Sequence, residues 1–316
     1  GREAEIILIH CLGTDKTVFF RDNPMIGKDE NEKIDRFLKR RSEREPLQYI
    51  LEYVDFYGIK IKVGKGVLIP RPETEFLVEE AIKVIRSQQI NSPLPTDNPP
   101  SPPFSKGGMG RFEKEGSEGV TNSSLVTRHS SLSILDLCTG SGCLALAIAR
   151  EFPDAQVYGT DISEVAIRYA KENAEINGIN NVIFLQGNLF EPIAQLVMRY
   201  ALRVMFNLII SNPPYIKRED IKNLQPEIKD WEPVEALDGG EDGLDFYRAV
   251  IPKAKGYLKE GGYLMLELGI SQADAVRKIA EQADFVNISL IKDYAGIERI
   301  LMAKNKCSFK DIEMIM

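Results

Sequence analysis

The sequence predicts an α/β fold in which a largely parallel β-sheet carries helices on both faces. From residue 133 onward, short apolar strand patterns alternate with helical patterns, and this alternation favours parallel strands joined by helical crossovers. A glycine-rich turn follows the first of these strands, and the tetrapeptide Asn212-Pro213-Pro214-Tyr215 follows a later one. Upstream of the sheet, residues 1–48 predict a small helical domain and residues 49–71 predict a β-hairpin linker.

Each element of the main domain, residues 72–305, is predicted from its own pattern. A helix is expected over 72–87, because Pro72 suits a first helical turn and two glutamates lie near its positive end. Further helices are predicted at 142–151, 163–177, 243–258 and 271–282. Strands are predicted at 133–137, 156–160, 182–186, 206–210, 262–268, 285–291 and 298–304. No helix separates the last two strands, so we expect them to form an antiparallel hairpin at the sheet edge.

The N-terminal region is expected to contain amphipathic helices. One covers the first residues through Leu12, and a second covers about residues 30–44 with Ile34 and Phe37 on one side. In the linker that follows, β-forming residues surround Gly58, which permits a turn.

Proline and glycine dominate residues 91–130, where few apolar residues are available to build a core. We therefore predict a disordered surface insertion in the main domain. The alternative is a docking arm with a function of its own. Residues 306–316 are expected to form a loose tail or short helix.

Composition excludes several function classes. The chain of 316 residues contains no run of about 18 apolar residues, so we expect no membrane span. Its net charge of −7 lacks the basic footprint of a duplex-DNA binder, so we expect no direct nucleic-acid partner. The densest basic cluster, Lys39-Arg40-Arg41 with Arg44, is interpreted as a solvated helix face, and a local basic patch is the alternative. The first residues carry acids where a signal peptide needs bases, and the missing initiator Met predicts a processed or truncated chain.

Cysteine and histidine show no zinc-ligand spacing, and we expect no metal site. Unpaired cysteines fit a reduced, cytoplasmic compartment. Cys138 and Cys143 flank the glycine-rich turn and are interpreted as small packing residues. His10 is expected at the boundary of a core. The complete set is Cys11, Cys138, Cys143 and Cys307 with His10 and His129.

The strand–turn–helix segment from Ile134 to Ala149 predicts a cofactor site. Gly140 and Gly142 permit positive φ and let a ligand approach the backbone, and the helix start offers free N–H groups to a carboxylate or phosphate. Asp161, at the next strand end, can accept hydrogen bonds from both ribose hydroxyls.

NAD is the competing ligand, but the turn reads Cys-Thr-Gly-Ser-Gly and lacks the spacing of the dinucleotide motif. Together with Asp161 and the tetrapeptide, the turn favours S-adenosyl-L-methionine. A purely structural glycine turn is the third reading. Asn188 is placed to bond an adenine nitrogen, and Leu189 to pack on the ring.

The tetrapeptide Asn212-Pro213-Pro214-Tyr215 indicates methyl transfer to a planar nitrogen, either an amide or an exocyclic amine. Such a nitrogen is a poor nucleophile because its lone pair is delocalised. The Asn212 side-chain oxygen and the Pro213 carbonyl can accept hydrogen bonds from its N–H groups. The two prolines fix φ and remove two backbone donors, and Tyr215 can stack on the planar group.

A family resemblance extends over nearly the whole chain apart from residues 91–130 and the tail. The segments that carry it are Glu45 to Tyr49, Asp55 to Gly58, Leu68 to Glu75, Asp136 to Gly142, Ser211 to Ile216, Glu232-Pro233, Ala236-Leu237, Gly243 to Asp245, and Asp293 with Gly296 and Arg299. On these segments the chain resembles the release factor glutamine methyltransferases. Pro70-Arg71-Pro72-Glu73-Thr74-Glu75 is the most specific segment, because Asn-Pro-Pro-Tyr is shared with DNA adenine methyltransferases.

The resemblance implies a class I S-adenosylmethionine-dependent methyltransferase with a Rossmann-like, seven-stranded, mostly parallel sheet. Its implied substrate is the glutamine of the Gly-Gly-Gln motif in peptide chain release factors, methylated on the side-chain amide nitrogen, and its small N-terminal domain contacts that partner. By motif position, the cofactor is held by Cys138, Thr139, Gly140, Ser141, Gly142, Asp161, Asn188, Leu189 and Asn212. The glutamine is held by Asn212, Pro213, Pro214 and Tyr215, of which Asn212, Pro213 and Tyr215 serve catalysis. A monomer is expected.

The chain departs from the family pattern in three places. Cys138 stands where glycine is frequent, Asn188 stands where an acid is common, and the family's first N-terminal helix is missing. Two interpretations are open for Arg71, Glu73 and Thr74. They close over the site and orient the substrate, or they form a helix cap and an interdomain salt bridge. The rival functions are a DNA or RNA adenine N6-methyltransferase and a catalytically idle binding protein.

Overall fold

The computed structural model describes residues 2–91, 132–200 and 204–306. Its N-terminal part consists of α1 (Arg2–Cys11), α2 (Lys16–Asp22), α3 (Lys28–Ser42), α4 (Leu47–Leu51), β1 (Tyr53–Phe56) and β2 (Ile59–Lys62). The main domain continues with α5 (Pro72–Asn91), β3 (Ser133–Leu137), α6 (Cys143–Glu151), β4 (Gln156–Asp161), α7 (Glu164–Ile176), β5 (Val182–Gln186), α8 (Glu191–Tyr200) and β6 (Phe206–Ser211). It ends with α9 (Pro226–Lys229), α10 (Asp245–Ala254), β7 (Leu258–Glu267), α11 (Ala273–Gln282), β8 (Val286–Lys292) and β9 (Glu298–Lys304).

Seven strands form the main sheet in the order β5-β4-β3-β6-β7-β9-β8. The first five are parallel, and β9 runs antiparallel to both β7 and β8. The predicted α/β fold and the antiparallel edge hairpin are therefore confirmed. Leu137 lies beside both Thr160 and Ser211 in the register. This register brings the carboxyl ends of β3, β4 and β6 together, and with them the glycine-rich turn, Asp161 and Asn212.

Several element boundaries differ from the prediction. Helix α5 continues to Asn91, and β7 begins at Leu258, the residue at which the preceding helix was predicted to end. Gly261 and Gly262 interrupt the apolar pattern of β7, because glycine in a strand weakens its sequence signal. The prediction did not include α8 and α9, and α9 has a weak pattern because it spans only four residues and none of them is buried.

The sheet separates two apolar cores. On one face, the β1–β2 hairpin and helices α5, α6 and α7 enclose side chains such as Ile61, Leu77 and Leu146. On the other face, α10 and α11 pack Tyr247 and Val276 against the sheet. The N-terminal helices hold a much smaller core of Ile7, Cys11 and Ile34. His10 lies at the margin of this core, stacked on the ring of Phe37, as expected of a boundary histidine.

Side chains of the main domain bind the backbone of the hairpin. Asn173 of α7 accepts a hydrogen bond from the Lys62 N–H (2.7 Å) and donates to the Lys62 carbonyl (3.1 Å). One helical turn later, Asn177 makes the same pair of bonds with Lys60. The Arg150 guanidinium donates to two carbonyls at the hairpin turn. These side chains satisfy strand-edge groups that would otherwise be exposed.

Two predictions lie largely outside the described residues. The disordered insertion was placed at 91–130, and the described chain stops at residue 91 and resumes at 132. The C-terminal tail lies outside the description from residue 307 onward, and His129 and Cys307 lie outside it as well.

Candidate active site

The glycine-rich turn after β3 takes an unusual backbone path. Cys138, Gly140 and Gly142 have φ values of +57°, +55° and +82°. A Cβ added to Gly140 would meet no atom within 4 Å, whereas one added to Gly142 would lie 2.9 Å from Cζ of Phe184 and 3.0 Å from Cβ of Ala170. Gly140 thus leaves open space for a ligand, while Gly142 permits close packing of α6. The half-buried Cys138 adopts a left-handed backbone conformation. For any residue with a side chain, this conformation is strained by about 1–2 kcal/mol.

Asp161 ends β4 beside this turn. Its Oδ2 accepts a hydrogen bond from the Gly140 N–H and its Oδ1 accepts one from the Ser163 N–H, both at 2.9 Å. Burial raises the pKa of the Asp161 carboxyl. Each carboxylate oxygen retains a further acceptor position, which suits the two hydroxyl donors of a ribose.

Asp136 is a second acid at the turn, and sequence reasoning did not assign it a role. It is fully buried, and its Oδ2 accepts a hydrogen bond from Thr139 Oγ1 at 2.6 Å. Its Oδ1 has no hydrogen-bond partner among the described residues. Burial raises the pKa of Asp136 to about 7. An orphaned buried acceptor and an open glycine fit a bound ligand with donor groups, so the turn is compatible with an adenosyl amino acid.

The loop after β5 lies against the end of β4. Thr160 Oγ1 donates to the Leu189 carbonyl at 3.0 Å, which brings the half-buried Leu189 toward Asp161 while Asn188 is exposed. Ile162, which directly follows Asp161, is 65% exposed. No role was predicted from the sequence for this exposed apolar side chain.

The tetrapeptide after β6 is joined to two buried polar residues. Asn212 Nδ2 donates to Thr74 Oγ1 at 3.1 Å, and Thr74 Oγ1 donates to Glu267 Oε2 at 2.8 Å. The Tyr215 hydroxyl donates to Glu267 Oε1 at 3.2 Å. Glu267 is 2% exposed, and burial raises its pKa to about 7. Sequence reasoning missed Glu267, whose one signal is a lone acid at the end of an apolar strand.

A cavity of about 120 Å³ opens beside the tetrapeptide. Among the described residues, no N–H group donates a hydrogen bond to the Pro213 carbonyl. The cavity therefore combines apolar walls with unused acceptors at one end. Its lining consists of Leu68, Arg71, Asn212, Pro213, Tyr215, Ile216, Ile228, Ala236 and Leu237.

The residues after the tetrapeptide fold back to form one cavity wall. The Ile216 N–H donates to the Leu237 carbonyl, and the Gly239 N–H donates to the Ile216 carbonyl. Gln272 Nε2 donates to the Tyr215 carbonyl at 2.8 Å. A Cβ added to Gly239 would lie 2.7 Å from the Tyr215 Cα, so the wall depends on glycine there.

Arg71, Glu73 and Thr74, for which the sequence left two interpretations, lie in three different environments. Arg71 forms a salt bridge with the buried Glu232 (2.6 Å) and also lines the cavity. Thr74 is buried and contacts Asn212, whereas Glu73 is exposed.

Three arginines of the basic cluster at the end of α3 are paired with acids. Arg40 binds Glu45 through two hydrogen bonds, and both Arg41 and Arg44 bind Glu227. The interpretation of a solvated helix face holds only in part, because Lys39 and Arg44 are exposed whereas Arg40 and Arg41 are half-buried and ion-paired. The guanidinium groups of Arg41 and Arg44 connect the N-terminal helices with α9, whose residue Ile228 lines the cavity.

The described ranges contain neither a cluster of metal ligands nor a membrane-spanning helix. Among residues 2–91, 132–200 and 204–306, no group of three or more histidine, cysteine or acidic side chains is placed to hold a metal ion. No described helix has the length and apolar character needed to cross a membrane.

Comparison with known proteins gives matches over both parts of the chain. The family model described as "Methyltransferase domain" matches residues 128–309, and the one described as "PrmC N-terminal domain" matches residues 1–51. The release factor glutamine methyltransferase of Thermodesulfovibrio yellowstonii is 43% identical over 97% of this chain and 93% of its own length. That of Geobacter sulfurreducens is 36% identical over 95% of this chain and 87% of its own. A solved protein-(glutamine-N5) methyltransferase from Alicyclobacillus acidocaldarius aligns with 78% of this chain and all of its own, at 25% identity and a TM-score of 0.40.

Proposed function

The chain belongs to the release factor glutamine methyltransferase family, and we propose that it methylates the glutamine of the Gly-Gly-Gln motif in peptide chain release factors. The methyl group is placed on the side-chain amide nitrogen. The observation that carries this proposal is the Asn212 amide, whose nitrogen is held by Thr74 beside a cavity with the dimensions of a small side chain. This arrangement leaves the Asn212 oxygen available to a substrate amide.

Two acceptors orient the glutamine amide in this proposal. Asn212 Oδ1 and the Pro213 carbonyl accept its two N–H groups, and Tyr215 packs against its plane. Tyr215 is suited to this role because both its hydroxyl and its carbonyl are hydrogen-bonded within the protein. The acceptors hold the amide so that the electron density on its nitrogen faces the methyl donor, which is catalysis by positioning.

S-adenosyl-L-methionine supplies a methyl group on a sulfonium sulfur, and displacement by the amide nitrogen leaves S-adenosyl-L-homocysteine. We assign the ribose to Asp161 and the adenine to the side chains around Asn188, Leu189 and Ile162. The segment from Cys138 through Thr139, Gly140 and Ser141 to Gly142 would hold the amino-acid part, because the N-terminus of α6 favours a carboxylate. None of the described residues that line the cavity is a strong general base, and in this proposal the amide proton leaves to solvent after methyl transfer.

The N-terminal domain is proposed to contact the release factor. Its exposed apolar side chains Phe20 (61%), Met25 (95%) and Ile26 (45%) lie in and after α2, a helix without buried residues. Apolar groups exposed together favour a protein partner. We further propose that the chain works as a monomer in the cytoplasm, where its cysteines remain reduced.

Mass spectrometry of the Gly-Gly-Gln peptide tests this function. A purified bacterial release factor is incubated with the chain and labelled S-adenosylmethionine, and DNA and RNA are tested in parallel. We expect label only on the glutamine. Asn212→Ala should abolish turnover while cofactor affinity, measured by calorimetry, changes by no more than about threefold.

Three outcomes contradict the proposal in different ways. Label on adenine identifies a nucleic-acid methyltransferase. Cofactor binding without methylation of any tested molecule identifies an idle binding protein. Wild-type-like activity of Asn212→Ala removes Asn212 from the catalytic site.

A further inference from the structure

We propose that the ionised carboxylate of Glu267, acting through the Thr74 hydroxyl, fixes which end of the Asn212 amide faces the substrate cavity. Glu267 and Thr74 are then positioning residues of the methylation reaction. This inference rests on the proposed function for its kinetic consequences, but the side-chain geometry that it describes is a property of the chain alone.

The direction of each hydrogen bond follows from the chemistry of the partners. An ionised carboxylate only accepts, so the Thr74 hydroxyl must donate its one proton to Glu267. The Thr74 oxygen is then left as an acceptor toward Asn212. The atom of Asn212 that contacts it must be Nδ2, as observed at 3.1 Å. The amide oxygen is thereby assigned to the opposite side, which is the side where an acceptor is needed.

We call the hydrogen-bonded chain from Glu267 through Thr74 to Asn212 the relay. Burial of its members keeps the direction of these hydrogen bonds fixed. Thr74 is 1% exposed and Glu267 is 2% exposed, so water does not compete for their hydrogen-bonding positions. The same carboxylate also accepts from the Tyr215 hydroxyl through its other oxygen. One buried acid therefore holds both substrate-contacting side chains of the tetrapeptide.

Glu267 has no salt-bridge partner in the part of the chain that the structure describes. The positive charge of Arg299 favours the ionised form of Glu267, but the Arg299 guanidinium forms its salt bridge with Asp293, at 3.0 Å. A buried carboxylate without a paired cation is costly, and an acid that served only packing would be better replaced by glutamine. The charged and titratable groups that face Glu267 are Glu73 from α5, Cys143 from α6, Tyr215 from the loop after β6, Tyr247 from α10 and Arg299 from β9.

Protonation of Glu267 would remove the directional constraint. A carboxylic acid can donate to Thr74, which frees the Thr74 proton for Asn212 Oδ1. The Asn212 amide would then rotate and present its NH₂ group to the cavity, where it repels a substrate N–H. Because burial raises the pKa of Glu267 to about 7, this change falls within an accessible pH range.

Steady-state kinetics on a release factor separates the relay from general packing. Thr74→Val removes the hydroxyl with little change in shape, and we expect kcat to fall by at least about tenfold while cofactor affinity stays within about threefold. Thr74→Ser restores the hydroxyl and should recover kcat to within about threefold. Tyr247→Phe is the matched control, because it removes a buried hydroxyl from the Glu267 backbone carbonyl and leaves the relay intact. A wild-type kcat in Thr74→Val, or an equal loss in Tyr247→Phe, would overturn the assignment.

The pH dependence provides a second kinetic test. The kcat/KM of the wild-type chain should rise with pH through about 7, following ionisation of Glu267. In Glu267→Gln the part of this rise that follows Glu267 should be lost, because glutamine does not titrate. An identical rise in both proteins would count against the relay.

Nuclear magnetic resonance tests the geometry without any turnover. The side-chain NH₂ signals of Asn212, identified by their loss in Asn212→Asp, should exchange slowly with solvent in the wild-type chain and quickly in Thr74→Val. Equal exchange in the two proteins would overturn the inference. A chain that passes this test yet leaves release factors unmethylated would refute the proposed function alone.

Discussion

Replacing Asn173 with alanine should destabilise the chain far more than the same replacement at Asn177. Both asparagines belong to the α7 region, and each makes three hydrogen bonds. Asn173 binds the backbone of Lys62 and the carbonyl of Ser141. Asn177 binds the backbone of Lys60 and the carbonyl of Asn173. The two sites differ in burial, because Asn173 is 0% exposed whereas Asn177 is only half-buried.

The expected magnitudes follow from that difference. At a buried site, each lost hydrogen bond lowers the free energy of unfolding by about 1 kcal/mol, because no water reaches the partner group that is left unsatisfied. Three bonds lost at Asn173 therefore cost about 3 kcal/mol, from which the better helix propensity of alanine recovers about 0.5 kcal/mol. At Asn177, water can reach the exposed Lys60 groups, so we expect a cost of about 1 kcal/mol or less.

Urea unfolding of the two variants, compared at unchanged m-value, measures these differences. Calorimetry with S-adenosylmethionine adds a functional readout, since Ser141 belongs to the glycine-rich turn and only Asn173→Ala should weaken cofactor binding. Equal destabilisation by the two variants would refute the argument from burial. So would a loss below about 1 kcal/mol in Asn173→Ala.

Three further predictions concern backbone conformation and buried charge. Cys138→Gly should raise the free energy of unfolding by up to about 1 kcal/mol in urea titrations, because glycine adopts the observed φ of +57° without strain. Gly142→Ala should lower it by about 2 kcal/mol and weaken cofactor binding in calorimetry, since the new Cβ would meet Phe184 at 2.9 Å with φ at +82°. Glu267→Gln should be the more stable protein at pH 8, by up to about 3 kcal/mol in unfolding experiments. The folded wild-type chain retains a proton between its unfolded pKa of 4.5 and its folded pKa of about 7, so its stability falls as pH rises through that range. The advantage of Glu267→Gln should therefore disappear below about pH 5, and a pH-independent gain would contradict it.

The expected effects of Glu267→Gln on stability and on activity have opposite signs. A buried carboxylate lowers the stability of the folded chain at neutral pH, yet the proposed relay requires that carboxylate to be ionised. Such a conflict is typical of residues retained for function. A residue retained for stability alone would not show it.

The parts of the site that follow one strand could be predicted from local sequence. The turn from Cys138 to Gly142 and the acid Asp161 each follow a strand, and their spacing is set by the chain itself. The sheet register then brings both next to Asn212, since parallel strands of one sheet end at the same edge.

The supporting residues could not be predicted in the same way. Thr74 contacts Asn212 across 138 residues of sequence and Glu267 across 193. Their contact depends on how α5 packs against the carboxyl ends of β6 and β7. The sequence showed that Thr74 belongs to the segment most specific to the family, but it left two interpretations of its role open. Glu267 had no predicted role.

The basic cluster on α3 shows the same limit for charge. A run of arginines in a sequence shows where the positive charges lie but not which acids they pair with. Such a run most often forms a solvated helix face. Tertiary structure instead brings Glu227 to Arg41 and Arg44, at 3.0 and 2.7 Å.

The sequence by itself determined the alternation of strands and helices, the glycine-rich turn and the tetrapeptide, because backbone conformation and apolar period are local properties of the chain. Tertiary structure alone decided which buried acid lies behind the tetrapeptide and which way the Asn212 amide points. The physical reason is that the direction of a hydrogen bond depends on the next partner in the network, and here that partner comes from another part of the fold.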